Sequence, residues 1–252
     1  MTTKKIALIT GASSGIGQAT ARIFAKNGID VVICGRRSEK LAQLALELGT
    51  SVRASLVFDV TNQKEVFEQI NSLDFPIDIL LNNAGNAHGL ANFQNGELED
   101  FDAMIDTNVK GLIYVSKAVL PKMIPQKNGH IINIGSIAGK EVYPNGNVYC
   151  ASKYAVDALS HALRMDLLAE NIKVGAINPG MVDTEFSLVR FKGDAQKAQN
   201  VYANMNPLTA VDIAEIIYFM VSRPAHVNIA DLLVLPTQQA SATQVRRDNV
   251  DK

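Results

Sequence analysis

Tyr149 and Lys153 stand four residues apart in the stretch Tyr149-Cys150-Ala151-Ser152-Lys153, so on a helix the phenol and the ammonium emerge on one face. A free tyrosine, with a pKa of about 10, carries protons poorly near neutrality, but a neighbouring cation favours its phenolate. At roughly 4 Å and an effective dielectric of about 20, one charge is worth up to ~4 kcal/mol, enough to bring a phenol into the range of acid/base catalysis. The pair therefore suits proton transfer at an oxygen atom. Helix surfaces also carry such pairs without any chemistry, so its meaning depends on the rest of the chain.

A second group of residues has the makings of a nucleotide site. Residues 5–10 read as a short buried strand, followed by Gly11-Ala12-Ser13-Ser14-Gly15-Ile16-Gly17 and a helical pattern through Ala25. Glycines let the backbone turn tightly and approach a pyrophosphate, whose charge is met by amides at the helix N-terminus. The spacing is GxxxGxG, which differs from the commoner GxGxxG fingerprint. A second strand, residues 30–34, ends at Gly35-Arg36-Arg37. An acidic residue near this point would accept ribose hydroxyls, as in NAD sites, whereas arginine accommodates a 2'-phosphate. No carboxylate lies between Ile33 and Ser38, so NADP(H) is the expected cofactor. The alternative is that both arginines only solvate a loop.

These pieces need a framework. The chain has 252 residues, is 47% apolar, and carries 24 Lys plus Arg against 25 Asp plus Glu. That is ample for a full core, and the near-zero net charge argues against nucleic acid or an anionic membrane surface as partner. A small-molecule substrate fits better. No apolar run reaches the length of a membrane span and no signal sequence is evident, so a cytoplasmic protein is expected. The two cysteines, Cys34 and Cys150, and the four histidines lack ligand spacing, so neither a metal site nor a disulfide is expected.

Strand and helix patterns alternate along the chain. Residues 38–48 form an amphipathic helix stopped by Gly49, and 52–58, 77–81, 130–134, 172–177 and 229–235 read as further strands. A helix follows residues 61–65, one long helix spans 98–123, another runs from Tyr149 to about Ala169, and a last one covers 212–222. The fold class is α/β, a single domain over residues 1–252 with a doubly wound parallel sheet of about seven strands and helices on both faces. Ligands in such sheets bind beyond the carboxyl ends of the strands, where Gly11, Gly35, Asp59 and Asn83 fall. Residues 181–209 are mixed and polar and read as a substrate lid. The tail from Thr243 is expected to be mobile or engaged in oligomer contacts.

Taken in order, Thr10 through Gly17, Asn82-Asn83-Ala84-Gly85, Asn108, Ser136, Tyr149 with Lys153, and Pro179-Gly180 closely resemble the short-chain dehydrogenase/reductase family over nearly the whole chain. The resemblance implies that Tyr149 exchanges the proton at the substrate oxygen, that Lys153 lowers its pKa and binds the nicotinamide ribose, and that Ser136 holds the substrate oxygen. Asn108 would position a water in a proton relay. It further implies cofactor contacts from Gly11, Ser13, Ser14, Gly15, Ile16, Gly17, Asp59, Val60, Asn83, Ala84, Gly85, Pro179, Gly180, Val182 and Thr184. Plainer roles stay open for several positions: Asn82 and Asn83 as ties between strands, Asn108 as a buried polar group, and Asp59 as a helix cap.

Residues 180–194 and 235–240 resemble the NADP-dependent 3-hydroxy acid dehydrogenases, which include serine and allo-threonine dehydrogenases and are usually homotetramers. The resemblance implies interconversion of short 3-hydroxy acids (serine, allo-threonine, 3-hydroxypropionate) and 3-oxo acids. Such a substrate carries a carboxylate near the reacting carbon, and Arg190 is the candidate cation for it; an ion pair at the surface or between subunits is the alternative. Rival functions are a broad carbonyl reductase, a 3-oxoacyl thioester reductase, and a non-catalytic NADP(H)-binding sensor.

Overall fold

The computed structural model describes residues 4–248. The chain runs β1 (Ile6–Ile9), α1 (Gly15–Lys26), β2 (Asp30–Gly35), α2 (Ser38–Leu48), β3 (Val52–Val57), α3 (Gln63–Asn71), β4 (Ile79–Asn82), α4 (Leu98–Ile105), α5 (Leu112–Met123) and β5 (Gly129–Ile134). It continues with α6 (Asn147–Asp166), β6 (Ile172–Pro179), β7 (Val182–Asp183), α7 (Glu185–Arg190), α8 (Ala195–Asn200), β8 (Leu208–Thr209), α9 (Ala210–Val221) and β9 (Asp231–Val234). Seven strands form one parallel sheet in the order β3-β2-β1-β4-β5-β6-β9, and β7 pairs with β8 in a small second sheet. The strand order reverses between β1 and β4, so the cleft beyond their carboxyl ends is where this topology takes a ligand.

Alternate residues of each strand feed opposite cores. Ala7 and Ile9 of β1 and Ile79 and Leu81 of β4 pack with α1, α2 and α9, while Leu8 and Leu80 pack with α3, α5 and α6. Both faces are therefore covered, which explains strands that are apolar throughout instead of alternating. At about 25 cal/mol per Å² of apolar surface, each fully buried Leu or Ile of these layers contributes roughly 1.5–3 kcal/mol. Local signals fix several ends: Asn62 caps α3 through Glu65, Thr209 and Asp212 form a capping box for α9, and Gly49, at φ +55°, stops α2.

A polar ladder crosses one core and aligns two helices. Asn82 Nδ2 donates to Ser116 Oγ on α5 and to Asn133 Oδ1 on β5, both at 2.9 Å. Asn133 Nδ2 donates in turn to Ser160 Oγ on α6 at 2.8 Å. Asn82 Oδ1 has no partner among the described residues, but inside a low-dielectric core the bonds that are made fix one arrangement over its neighbours, and α6 is the helix that carries Tyr149.

Three expectations need correction. Residues 98–123 are not one α-helix: a π-helical segment, Asp106–Gly111, lies between α4 and α5 and contains Asn108. Helix α6 begins two residues before Tyr149 and ends at Asp166, followed by a 3-10 turn over Leu168–Glu170. The tail is docked as far as it is described. Arg246 and Asp248 donate backbone amides to the carbonyls of Gln238 and Asn204, so residues 246–248 are held against the turn after β9 and the segment before β8; residues 249–252 are outside the described part.

Candidate active site

The glycine turn adopts the shape its sequence demands. Gly11 and Gly15 have φ of +64° and +54°, where a side chain is strained. A Cβ on Gly17 would lie 2.5 Å from Asn83 Nδ2 and 2.6 Å from the Gly11 carbonyl oxygen. Asn83 spends its amide hydrogens on the carbonyls of Thr10, at 2.8 Å, and Gly11, at 3.3 Å. It thus braces the turn, while Ala84 and Gly85 continue along the cleft floor. Ser14 precedes α1 but does not cap it; its hydroxyl accepts from Arg37 Nη2 at 2.6 Å instead. The first-turn amides of α1 are left for an anion, so the residues present fit a dinucleotide pyrophosphate.

At the end of β2, Arg37 also donates to Ser13 Oγ at 3.1 Å, and Arg36 pairs with Asp59 at 3.2 Å. Asp59 does not cap α3; it accepts from the amide and hydroxyl of Thr61, both at 2.9 Å. Burial opposes the Asp59 carboxylate, but the Thr61 bonds and Arg36 outweigh it, and its pKa lies below the usual value. Val60 packs against Gly111, where an added Cβ would meet its side chain at 2.7 Å.

Tyr149 and Lys153 are both buried on α6, at 8% and 6% exposure. Lys153 Nζ donates to the Ile134 carbonyl at 2.9 Å and lies 6.0 Å from the Tyr149 ring centre. Burial brings its pKa down to about 8. The Tyr149 phenol is pushed up, by burial first and then by the nearby Tyr143 phenol; a hydrogen bond from Ser136 and the charge of Arg190 pull it back. Desolvation thus outweighs the charge of Arg190, and the phenol is protonated at neutrality. Ser136 begins the 3-10 turn Ile137–Gly139 and accepts from the Ala138 amide at 3.1 Å. That turn lies flat on α6, because Gly139 would place a Cβ 2.6 Å from the Lys153 carbonyl oxygen.

Asn108 sits behind the pair. Its Oδ1 accepts from the Asn86 amide at 2.8 Å, and its Nδ2 donates to the Asn86 carbonyl at 2.9 Å and to Ser152 Oγ at 3.0 Å. The side chain therefore ties the loop after β4 to α6. This is the buried polar role left open by the sequence, and both amide hydrogens are committed to it.

The segment after β6 lies against this group through Phe186 and Arg190. Pro179 ends β6, and Gly180 donates its amide to the Val234 carbonyl at 2.8 Å. Val182 is in β7, the Thr184 hydroxyl caps α7, and the Thr184 methyl lies 3.5 Å from a Cβ built on Gly15. Arg190 closes α7. Its Nε donates to the Gly89 carbonyl at 3.2 Å, and its guanidinium carbon lies 5.6 Å from the Tyr149 ring centre and 5.7 Å from that of Tyr143. Arg190 enters no ion pair among the described residues, which sets aside the surface-pair alternative for this chain by itself. A cavity of about 90 Å³ is lined by His88, Met104, Asn147, Tyr149 and Arg190 among others.

Sequence reading missed Tyr143, Phe186 and Ser152. Phe186 packs its ring 5.7 Å from that of Tyr149. Tyr143, six residues before Tyr149, has no periodic relation to it, and only the turn before α6 brings the two rings together. Among the described residues no group of three His, Cys, Asp or Glu could hold a metal, and no helix is long and apolar enough to cross a membrane.

Comparison with known proteins agrees with this geometry. The family model described as short chain dehydrogenase matches residues 5–194. The NADP-dependent 3-hydroxy acid dehydrogenase YdfG of Salmonella typhi is 46% identical over 241 residues, covering 94% of this chain and 97% of that protein. Sulfoacetaldehyde reductase 2 of Chromohalobacter salexigens is 45% identical over 249 residues, covering 96% and 99%. A solved structure of the closed form of serine dehydrogenase complexed with NADP+ superposes with a TM-score of 0.92 at 44% identity, covering 98% and 99% of the two chains. With the glycine turn at the switch point and Ser136, Tyr149 and Lys153 gathered at the start of α6, this chain belongs to the short-chain dehydrogenase/reductase family.

Proposed function

We propose that the protein is an NADP(H)-dependent oxidoreductase that interconverts short 3-hydroxy acids and the matching 3-oxo acids. The observation that carries this reading is Arg190, a half-buried guanidinium without a carboxylate partner among the described residues, lying over the ring of Tyr149 on the wall of the same cavity. A carboxylate held by Arg190 sets the carbonyl of a three- or four-carbon acid against Tyr149. The cofactor is held by the glycine turn, Arg36, Arg37, Asp59, Val60, Asn83 to Gly85 and the segment from Pro179 to Thr184. NADPH, when bound, supplies the hydride that the carbonyl carbon accepts.

The chain's own residues do the rest. Ser136 donates a hydrogen bond to the carbonyl oxygen, and Tyr149 gives that oxygen its proton as the carbon is reduced. Lys153 steadies the resulting phenolate, and its lowered pKa of about 8 suits return of the proton near neutrality. Asn108 holds the loop and helix that flank this path. The reverse sequence oxidises the hydroxy acid, with Tyr149 accepting the proton.

A second reading draws on the sulfoacetaldehyde reductase among the relatives. Sulfoacetaldehyde and malonic semialdehyde each place an anion one methylene from an aldehyde, so Arg190 serves either. The discriminating experiment follows NADPH absorbance with malonic semialdehyde, sulfoacetaldehyde, a 3-oxoacyl thioester and a neutral ketone, and NADP+ reduction with serine and 3-hydroxyisobutyrate. Turnover of the free anions well above the neutral ketone is expected. Preference for the thioester or the ketone would overturn the assignment in favour of a broader reductase, and inertness to all would favour a sensor. The proposal extends to a cytoplasmic homotetramer, supported by Met165 and Leu168 exposed at the end of α6 and tested by light scattering in solution.

A further inference from the structure

Glu185 opens α7, yet its side chain reaches away from the reaction cavity to the far end of the cleft. Its carboxylate accepts from Arg37 Nη1 and from Lys40 Nζ, each at 2.7 Å. Arg37 is the same side chain that holds Ser13 and Ser14 of the glycine turn, and Arg36 beside it is paired with Asp59. The end of β2 and start of α2 therefore present Arg36, Arg37 and Lys40 to a ligand with Asp59 and Glu185 already attached to them.

A site rejects a ligand lacking one group mainly by leaving its own polar partners unpaired. If Arg37 and Lys40 had no other anion, NAD(H), without a 2'-phosphate, would leave both cations uncompensated. Here the lid brings a carboxylate of its own to them. We propose that Glu185 is a specificity-determining residue: a resident anion on Arg37 and Lys40 that competes with the 2'-phosphate and so narrows the preference for NADP(H) over NAD(H). The proposal rests on the reading of this corner as the 2'-phosphate site, and it adds Lys40 to that site. Arg37, Lys40 and Glu185 are each more than two-fifths exposed. Water and salt screen such a contact, so the effect is several-fold and not thousands-fold.

The test is Glu185→Gln, which keeps the shape of the side chain and removes its charge. Binding of NADPH and of NADH is measured by fluorescence titration at low and high salt. The variant is expected to bind NADPH about 3- to 10-fold tighter, with NADH changed less than about twofold and the gain shrinking at high salt. An unchanged or weaker NADPH affinity overturns the proposal. So does an equal loss for both cofactors, which would mark Glu185 as a lid contact only. The underlying site is checked separately with the double variant Arg37→Met/Lys40→Met: if that protein, still folded by circular dichroism, keeps the wild-type NADPH over NADH ratio, the 2'-phosphate reading itself fails. If it loses that ratio while Glu185→Gln changes nothing, only the competition by Glu185 is wrong.

Discussion

Arg190 lies over the ring of Tyr149, with the guanidinium carbon 5.6 Å from the ring centre. Helix α7 thus brings a cation to the wall of the cavity that Tyr149 also lines. Replacing Arg190 with Leu removes a charge-assisted contact worth about 1.5–3 kcal/mol. KM for 3-hydroxy acids is then expected to rise about 10- to 150-fold, with little change for a neutral ketone. Steady-state kinetics on the two substrate types decide it, and equal losses on both would rule out the carboxylate clamp.

Tyr149 supplies the second prediction. Tyr149→Phe should lower kcat by about 10²- to 10⁴-fold while leaving NADPH affinity near wild type, because the hydroxyl and not the ring is used. Burial and Tyr143 hold the phenol protonated, so in the wild type oxidation of a hydroxy acid should quicken as pH rises and reduction should not. A pH profile with the opposite slopes would contradict Tyr149 as the proton-exchanging group.

The acid limit of stability has a specific origin in His130. It is 4% exposed and neither ring nitrogen has a partner among the described residues. Burial, reinforced by Lys173 and Lys5, lowers its pKa from 6.5 to about 3. Between those values the unfolded chain binds the extra proton, so stability declines as pH falls, by a few kcal/mol in the limit. His130→Leu should flatten urea denaturation midpoints measured from pH 7 to 4 and should lose no stability at pH 7, since the unpaired nitrogens are gone. An unchanged slope would assign the acid lability elsewhere.

The polar ladder between the strands and α6 makes a prediction about fold and site together. Asn133→Leu leaves one buried amide hydrogen of Asn82 without its acceptor and the Ser160 hydroxyl oxygen without its donor, costing about 2–3 kcal/mol. For a chain of this size the melting temperature should fall by roughly 4–12 °C, with a loss in kcat greater than that in NADPH binding. Calorimetry beside kinetics tests both halves, and a variant melting with the wild type would show the ladder to be dispensable.

Much of this architecture can be read from residue order alone. Helix α2 matches its expected bounds, because an apolar stripe and Gly49 mark both its face and its end. The glycine turn lies at the carboxyl end of β1, and Ser136, Tyr149 and Lys153 come together beyond β5, since each follows a strand or sits on a helix whose place in the sheet is set by topology. What escapes a linear reading is contact between distant irregular segments. Nothing in the spacing links Tyr143 to Arg190, or Glu185 to Arg37, because the lid's path back over the sheet is set by tertiary packing. The π-helical segment is hidden for another reason: its residues have good helical character, and only the buried bonds of Asn108 to Asn86 and Ser152 select the wider turn.

That wider turn also bears on how the chain tolerates changes in length. A π turn holds one residue more than an α turn, so the segment Asp106–Gly111 acts as a register spacer. Deleting a residue there would convert the π turn into an α turn, one full turn in either case, and leave the helix after it facing as before. The apolar stripe of α5 would stay on the sheet together with the Ser116 end of the ladder. The segment least marked in sequence is thus the one along this stretch at which a single-residue deletion is absorbed, whereas the same loss inside α4 or α5 would turn an entire core face by about 100°.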